Sequence, residues 1–585
     1  MDTAGDRTAG VAARYRIVTE PGEPLGPASR TQGVTTTEQA PAPATGPDQA
    51  PAAGRRGPRR LFAALAGLRA AAVALGVAEL AAAAVGPAAS PVVAVGDTVI
   101  TFTPEPVKQF AIATFGENDK IALVVGTLVL VALYALLIGL VSLRSRRAGV
   151  TGIALFGVIG ALAAATRPAG GLLDALPSVL GALAGVVALL LLVDPLAVPA
   201  ADTPRSADDD LVERLRGALS MADRKGAGMD RRRFFLTGGV ALGAAAVTGG
   251  GGRLLQQRFD VSDARGDLVL PTPGSPAPAL PRGADLAERV DGVTPLFTAN
   301  RDFYRVDTAI TVPQVRPSRY RLELTGMFDS PRSYTLADLF DRDDVIERDI
   351  TLTCVSNEIG GGLAGTARWT GVPLGALLRE NGVSGRSDQL VCRSVDGMTI
   401  GTPTRAALDV ENAMLAFGMN GEPLPVEHGF PVRMLIPGLY GYVSACKWLA
   451  SIEATTFDAF DAYWVQRDWA REAPIRVASR IDTPAPLRQF AAGRRPIAGV
   501  AWAQTRGIAR VEVRIDEGPW QEAELAPQAG TDLWRQWVLP HDFAPGSYQL
   551  TVRATTADGE VQTDERARPF PSGATGQHSI RVIAR

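Results

Sequence analysis

The sequence predicts a chain in three parts: an N-terminal α-helical transmembrane region, a mixed α/β (α+β) domain, and a C-terminal β-sandwich of immunoglobulin type. Three observations carry this. Between Leu61 and Val193 lie four apolar runs, each near the roughly 20 residues that cross a bilayer as a helix. From about residue 296 alternating strand patterns mix with short helical ones, as in a soluble domain. After about 455 only short alternating strands remain, separated by turn residues. A length of 585 residues suits several units, because single cores stop growing near roughly 250 to 300 residues.

Residues 1–54 are rich in Ala, Pro, Thr and Gly without apolar periodicity, and are expected to form a disordered cytoplasmic tail. The four-helix transmembrane region occupies 55–196. Arg55, Arg56, Arg59 and Arg60 precede its first run, Leu61 to about Val85, which Arg69 and Glu79 make the weakest span. Ile121 to Leu143 carries no charge and is followed by Arg144, Arg146 and Arg147; Gly149–Ala165 and Leu172–Val193 complete the set. Basic clusters at 55–60, 144–147 and 204–233 alternate with a loop at 86–120 richer in acids. By the positive-inside rule, the region begins and ends in the cytoplasm. Within 197–250, a cytoplasmic loop leads to DRRRFFLTGGVALGAAAVTGG (230–250), a basic cluster before a short apolar stretch. This is similar to a twin-arginine export signal, and its alternative is a fifth transmembrane helix. Either reading gives a multi-pass plasma-membrane protein in contact with lipid, its globular part on the extracytoplasmic side. A Pro- and Gly-rich linker is expected over 251–295, the mixed α/β domain over 296–455 and the sandwich over 456–585.

The net charge of −2, from 59 basic and 61 acidic residues, excludes a nucleic-acid partner. Cys354, Cys392 and Cys446 are too scattered for a disulfide framework or a CxxC site. The three histidines, His428, His541 and His578, all lie in the last third, so the 61–250 segment has no bis-His haem site. Lysine occurs four times, at 108, 120, 225 and 447.

Chemistry concentrates in two segments. TLTCVSNEIGG (351–361) puts Cys354 at the end of an apolar strand, followed by Ser356, Asn357, Glu358 and glycines that let a large ligand approach the backbone. A lone Cys in such surroundings is more often a small core residue. The second segment, MNGEPLPVEHGFPVRMLIPGLYGYVSACKWL (419–449), holds Gly, Pro, His, Arg and Lys too irregularly for core packing. Together these segments resemble the sulfite oxidase family of molybdenum enzymes over about 290–585. The resemblance implies a sulfite-oxidase-type molybdopterin-binding domain followed by an immunoglobulin-like dimerisation domain, hence a homodimer.

It also implies the site. Cys354 would be the thiolate ligand of molybdenum, beside the dithiolene sulfurs of one pyranopterin (molybdopterin). His428, Arg433, Ser444 and Lys447 match positions at the pterin and its phosphate. NRDFYRVD (300–307) resembles the segment running beside the cofactor, which makes Asn300, Arg301, Phe303 and Tyr304 candidates, with Ser356 and Asn357 in the cysteine loop. Arg506 falls where the family has an anion-binding arginine. Two departures bear on substrate: Glu358 and Ile359 stand where sulfite oxidases carry an arginine, and Phe417 replaces a tyrosine near the metal. The implied activity is two-electron oxygen-atom transfer on a small molecule, and the two departures make the chain no sulfite specialist; electrons pass to or from a separate carrier, a quinone or a cytochrome-like protein. Its rivals are a periplasmic methionine-sulfoxide reductase and a non-catalytic, membrane-tethered pterin-fold sensor.

Overall fold

The apolar runs fold as helices: α1 (Arg56–Val85), α2 (Pro91–Phe102), α3 (Asp119–Ser142), α4 (Arg146–Ala165) and α5 (Leu176–Val193), followed by α6 (Arg231–Gln256). The structure, a computed structural model, describes residues 56–104, 107, 110, 114–115, 119–193 and 231–585; the expected tail and the loop over 197–230 lie outside the described residues. Among the described residues, four helical stretches are long and apolar enough to cross a membrane: Arg59–Val85, Lys120–Ser142, Arg146–Ala165 and Leu172–Val193. Their outward faces carry Ile121, Val125, Val129, Leu130, Leu133 and Leu162 exposed, a belt too large for an ordinary soluble surface.

The helices cross through small residues. A Cβ on Gly67 would strike Ala135 and Gly139 backbone, and one on Gly139 would strike Ala63. The charge that weakened the first span is satisfied internally: Glu79 accepts from Ser90 Oγ at 2.5 Å and from Gln256 Nε2 at 3.1 Å. Residues 231–250 are part of one helix, α6, packed along α1.

Residues 251–295 correct the expectation of a linker. Leu286, Val290 and Val293 are buried against Ala498, Ala526 and Val538, and the Leu286 N–H donates to Gln536 Oε1 at 2.6 Å. The Pro and Gly content masked three apolar anchors at one-turn spacing.

Two sheets build the mixed domain. One has the order β2-β1-β10-β5-β6, from β1 (Arg321–Gly326), β2 (Ser333–Thr335), β5 (Gln389–Ser394), β6 (Thr399–Pro403) and β10 (Leu449–Thr455), with β1 parallel to β10. The other runs β3 (Ile346–Thr353), β4 (Ala364–Pro373), β7 (Met414–Met419), β8 (Glu422–Pro423), with β9 (Arg433–Leu435) also on β7. β7 is buried on both faces. Leu415 and Phe417 enter a core with Leu322, Leu390 and Ile452, whereas Met414 and Ala416 face Phe303, Trp369 and Phe430.

The C-terminal strands form a two-sheet sandwich. A four-stranded sheet orders β11 (Ala478–Thr483), β13 (Gly493–Trp502), β17 (Arg535–Phe543) and β16 (Glu524–Leu525). A five-stranded sheet orders β12 (Gln489–Phe490), β19 (His578–Ala584), β18 (Gly546–Thr556), β14 (Ile508–Ile515) and β15 (Trp520–Glu522). Ile497, Val511, Trp537, Val552 and Val582 fill the space between them.

Candidate functional site

Branched residues in ITLT extend β3 to Thr353, and the chain then closes a tight loop around Cys354. The Cys354 N–H donates to Leu363 O at 2.9 Å, the Asn357 N–H to Cys354 O at 3.0 Å, and the Leu363 N–H to Asn357 Oδ1 at 2.8 Å. Gly360, at φ 78°, leaves no room for a Cβ because His578 of β19 lies there, and Gly361 O accepts from Arg480 of β11 at 2.9 Å. Both sheets of the sandwich therefore grip the cysteine loop. The thiol is 9% exposed; burial raises its pKa, against which Ser356 hydrogen bonds act.

Opposite the thiol lie residues of the 300–307 segment and of the irregular 426–448 stretch. Phe303 stacks on Tyr304 at 5.3 Å and meets Trp369 and His428 edge-on at 5.8 and 5.5 Å. Burial raises the Tyr304 pKa; the neighbouring Cys354 adds to the rise and Arg433 opposes it, so the hydroxyl lies near both groups. His428 Nε2 donates to Asn300 O at 3.1 Å, an assignment that follows from the carbonyl being able only to accept. Burial first, then Arg433, pushes the ring down to about 4.

Arg433 is 5% exposed. Its Nη1 donates to His428 O at 2.9 Å, its guanidinium rests 5.1 Å from the Trp369 ring, and its buried Nε has no partner. Burial lowers its pKa to about 10. Lys447 reaches Asp307 Oδ2 at 2.6 Å and Glu427 O at 3.3 Å; burial pulls it down to about 8 although Asp307 raises it. The backbone between these cations needs glycine: Gly429 has φ 112°, and a Cβ there would lie 3.1 Å from both Arg433 Cβ and Lys447 Cα.

The fold thus brings Phe303, Tyr304, Cys354, His428, Arg433 and Lys447 together, with Ser356 on the thiol. Asn300, Asn357 and Ser444 act on the frame. Asn300 donates to Met419 O and to Glu422, Asn357 closes the loop, and Ser444 Oγ donates to Leu439 O and Tyr440 O. Three catalytic expectations are corrected. Arg301 lies in a short turn with its side chain 87% exposed beside Asp302. Arg506 is turned to Asp558 and Glu560 at 2.9 and 2.6 Å. Phe417 packs on Phe340 at 4.6 Å, on the face of β7 opposite Trp369, so its aromatic ring is a core group. Glu358 is exposed. Sequence reasoning passed over Arg305 and Asp307, inside the quoted 300–307 segment, as well as Tyr440, whose buried hydroxyl lies near Cys354, and the sandwich residues Arg480 and His578.

Among the described residues no three His, Cys, Asp or Glu side chains form a metal cage. A single buried thiol suits a soft metal whose other ligands come from an organic group. A fully buried guanidinium with an unpartnered Nε, beside a buried lysine, suits an anionic one. These features fit the molybdopterin-binding oxidoreductase domain that the sequence resemblance implies, with molybdenum as the metal of its cofactor.

Comparison with known proteins agrees. Residues 309–464 match the family described as "Oxidoreductase molybdopterin binding domain". The chain is 30% identical to the mitochondrial sulfite oxidase of Rattus norvegicus over 306 residues, 44% of this chain and 55% of that protein. It is 29% identical to the sulfite oxidase of Gallus gallus over 340 residues (50% and 72%), and 26% to the nitrate reductase [NAD(P)H] of Hordeum vulgare over 283 (39% and 31%). The chain spans about half the length of the mammalian sulfite oxidases it matches. The crystal structure of the sulfane dehydrogenase SoxCD from Paracoccus pantotrophus superposes with a TM-score of 0.44 at 23% identity, covering 50% of this chain and 81% of that one. Residues 309–464 therefore carry a molybdopterin-binding oxidoreductase domain similar to that of the sulfite oxidases.

Proposed function

We propose that this chain is a membrane-anchored oxidoreductase performing two-electron oxygen-atom transfer on a small substrate outside the cytoplasmic membrane. The observation that carries it is the meeting of the strand-end thiol Cys354 with Arg433, His428 and Lys447. When bound, the cofactor supplies a metal that exchanges two electrons and an oxygen atom with the substrate. The chain's own groups do the rest. Cys354 ligates as thiolate, with Ser356 hydrogen-bonding its sulfur, and Arg433, Lys447 and His428 hold the phosphate and ring edge. Phe303 and Trp369 exclude water, which strengthens every charge interaction in the pocket. Relatives named for sulfite and for nitrate share this domain, which supports a site able to run in either direction.

The four long apolar helices support a multi-pass plasma-membrane anchor, with α6 as export signal or fifth span. The two-sheet sandwich supports an immunoglobulin-like dimerisation domain. A separate carrier, quinone or cytochrome-like, takes or gives the electrons. The test is molybdenum and pterin analysis of the purified chain, followed by a screen of S-oxides, N-oxides and oxyanions with an artificial redox dye. A chain that folds but binds neither metal nor pterin refutes the proposal.

A further inference from the structure

The helical region reaches the cofactor seat through one buried carboxylate. Lys120, on the first turn of α3, places its ammonium 2.5 Å from Asp307 Oδ1, while Lys447 lies 2.6 Å from Asp307 Oδ2. Arg305 Nε adds a third cation at 2.8 Å from Oδ2, and the Asp307 side chain is only 5% exposed. Lys120 and Lys447 are two of four lysines in 585 residues. The bridge belongs to a wider seam: Arg467 Nη2 donates to Thr101 O at 3.0 Å, a Cβ on Gly96 would meet Ile310, and one on Gly397 would strike Pro168 and Ala169.

Charge accounting gives the bridge a role. An ammonium has three N–H donors, and Lys447 directs two at Asp307 and Glu427 O, leaving the third for another acceptor. A carboxylate held by Lys447 alone would neutralise it. Shared with Lys120 and Arg305, Asp307 fixes the direction of Lys447 without consuming its positive potential.

We propose that Lys120 is a positioning residue of the cofactor seat, acting through Asp307 to hold Lys447 toward the phosphate of the pterin, so that docking of the helical region and retention of the cofactor are coupled. This rests on the reading of Lys447 as a phosphate partner.

The test uses the full chain in detergent, comparing wild type with Lys120→Met, Lys120→Arg, Lys447→Met and the double variant Lys120→Met/Lys447→Met. Pterin and molybdenum per chain are measured, with the rate of pterin release at rising salt. Loss of one partner in a coupled buried network predicts release about 5- to 20-fold faster in Lys120→Met. Lys120→Arg should recover most of the loss, and the double variant should release no faster than Lys447→Met. Asp307→Asn should act in the same direction if Lys120→Met fails to accumulate. Wild-type release from Lys120→Met, or effects of the two lysines that simply multiply, overturns the coupling alone. A folded wild type without pterin overturns the cofactor reading and the coupling with it.

Discussion

Replacing Arg433 by Met should change the stability of the cofactor-free chain little while emptying it of cofactor. Arg433 is 5% exposed, and burial holds its pKa well below the ordinary arginine value, at about 10, equivalent to roughly 3 kcal/mol against the charged form. Offsetting this are one charge-assisted hydrogen bond to His428 O, about 1.5 to 3 kcal/mol, and contact with the Trp369 ring, about 0.5 to 2 kcal/mol. Methionine keeps the apolar stem over the ring but gives up both interactions, so the change should fall between about 1 kcal/mol in its favour and about 2 kcal/mol against it, in line with other buried charges replaced by apolar groups. An ordinary core truncation costs about 2 to 5 kcal/mol. With cofactor the loss is large, because one lost charged partner weakens retention by about 10- to 150-fold. Melting temperature of chain from a host lacking the pterin, and pterin content of chain from a host supplying it, read the two arms. A destabilisation above 2 kcal/mol without cofactor, or normal pterin content, would refute the reasoning.

Cys354→Ser should fold, lose turnover and lose molybdenum, whereas Cys392→Ser should lower the melting temperature and leave turnover intact, since Cys392 is fully buried with its Sγ against Met434 Sδ at 3.5 Å; metal analysis beside melting curves separates the two. Gly429→Ala should empty the site, because φ 112° is strained and the new Cβ presses on Arg433 and Lys447, while Gly421→Ala at φ 82°, with open space around it, should cost only about 1 kcal/mol and keep the cofactor; pterin content of the two variants checks this. His428 has a folded pKa of about 4 against an ordinary 6.5, so the stability gained from its neutral ring is complete above pH 6.5 and is lost as pH falls toward 4, a loss of roughly 3 kcal/mol that His428→Gln should flatten in melting curves against pH.

Much of the architecture was legible because it depends on local pattern. Runs such as Ile121–Leu143 require a helix of membrane length whatever surrounds them, and ITLTCV reads as a buried strand before any partner is known. Other features depend on contacts that no local pattern records. Phe417 was placed near the metal by resemblance alone, and because β7 is apolar on both faces, alternation could not say which set of its side chains meets Trp369. Arg480 and His578 grip the Cys354 loop from more than 100 residues away. Asp307 acquires meaning only when Lys120 and Lys447, themselves 327 residues apart, arrive on its two oxygens. The one available signal was the scarcity of lysine.

The arrangement of arginines argues that sulfite is a poor substrate, on grounds other than those the sequence offered. An anion entering a closed site gives up hydration, and only fixed positive charge or dense donors offset that cost. Arg506 has carboxylate oxygens of Asp558 and Glu560 within 3 Å and so presents no net positive charge, and Arg480, with Asp482 Oδ1 at 2.6 Å, presents a nearly neutral pair. Arg301 lies in solvent beside Asp302, where screening leaves little attraction. Arg433 and Lys447 are committed to the cofactor in the proposed reading. Among the described residues this leaves Arg476, whose backbone N–H donates to the Tyr440 hydroxyl at 3.3 Å, as a nearby cation without a carboxylate at ion-pair distance, and it is exposed. A neutral or weakly charged S-oxide or N-oxide asks less of such a lining. Steady-state sulfite oxidation with an artificial acceptor should therefore be slow in the wild type and rise in Asp558→Asn/Glu560→Gln, which frees Arg506. Efficient wild-type turnover that the double change does not improve would show that the paired arginines are not what limits the site.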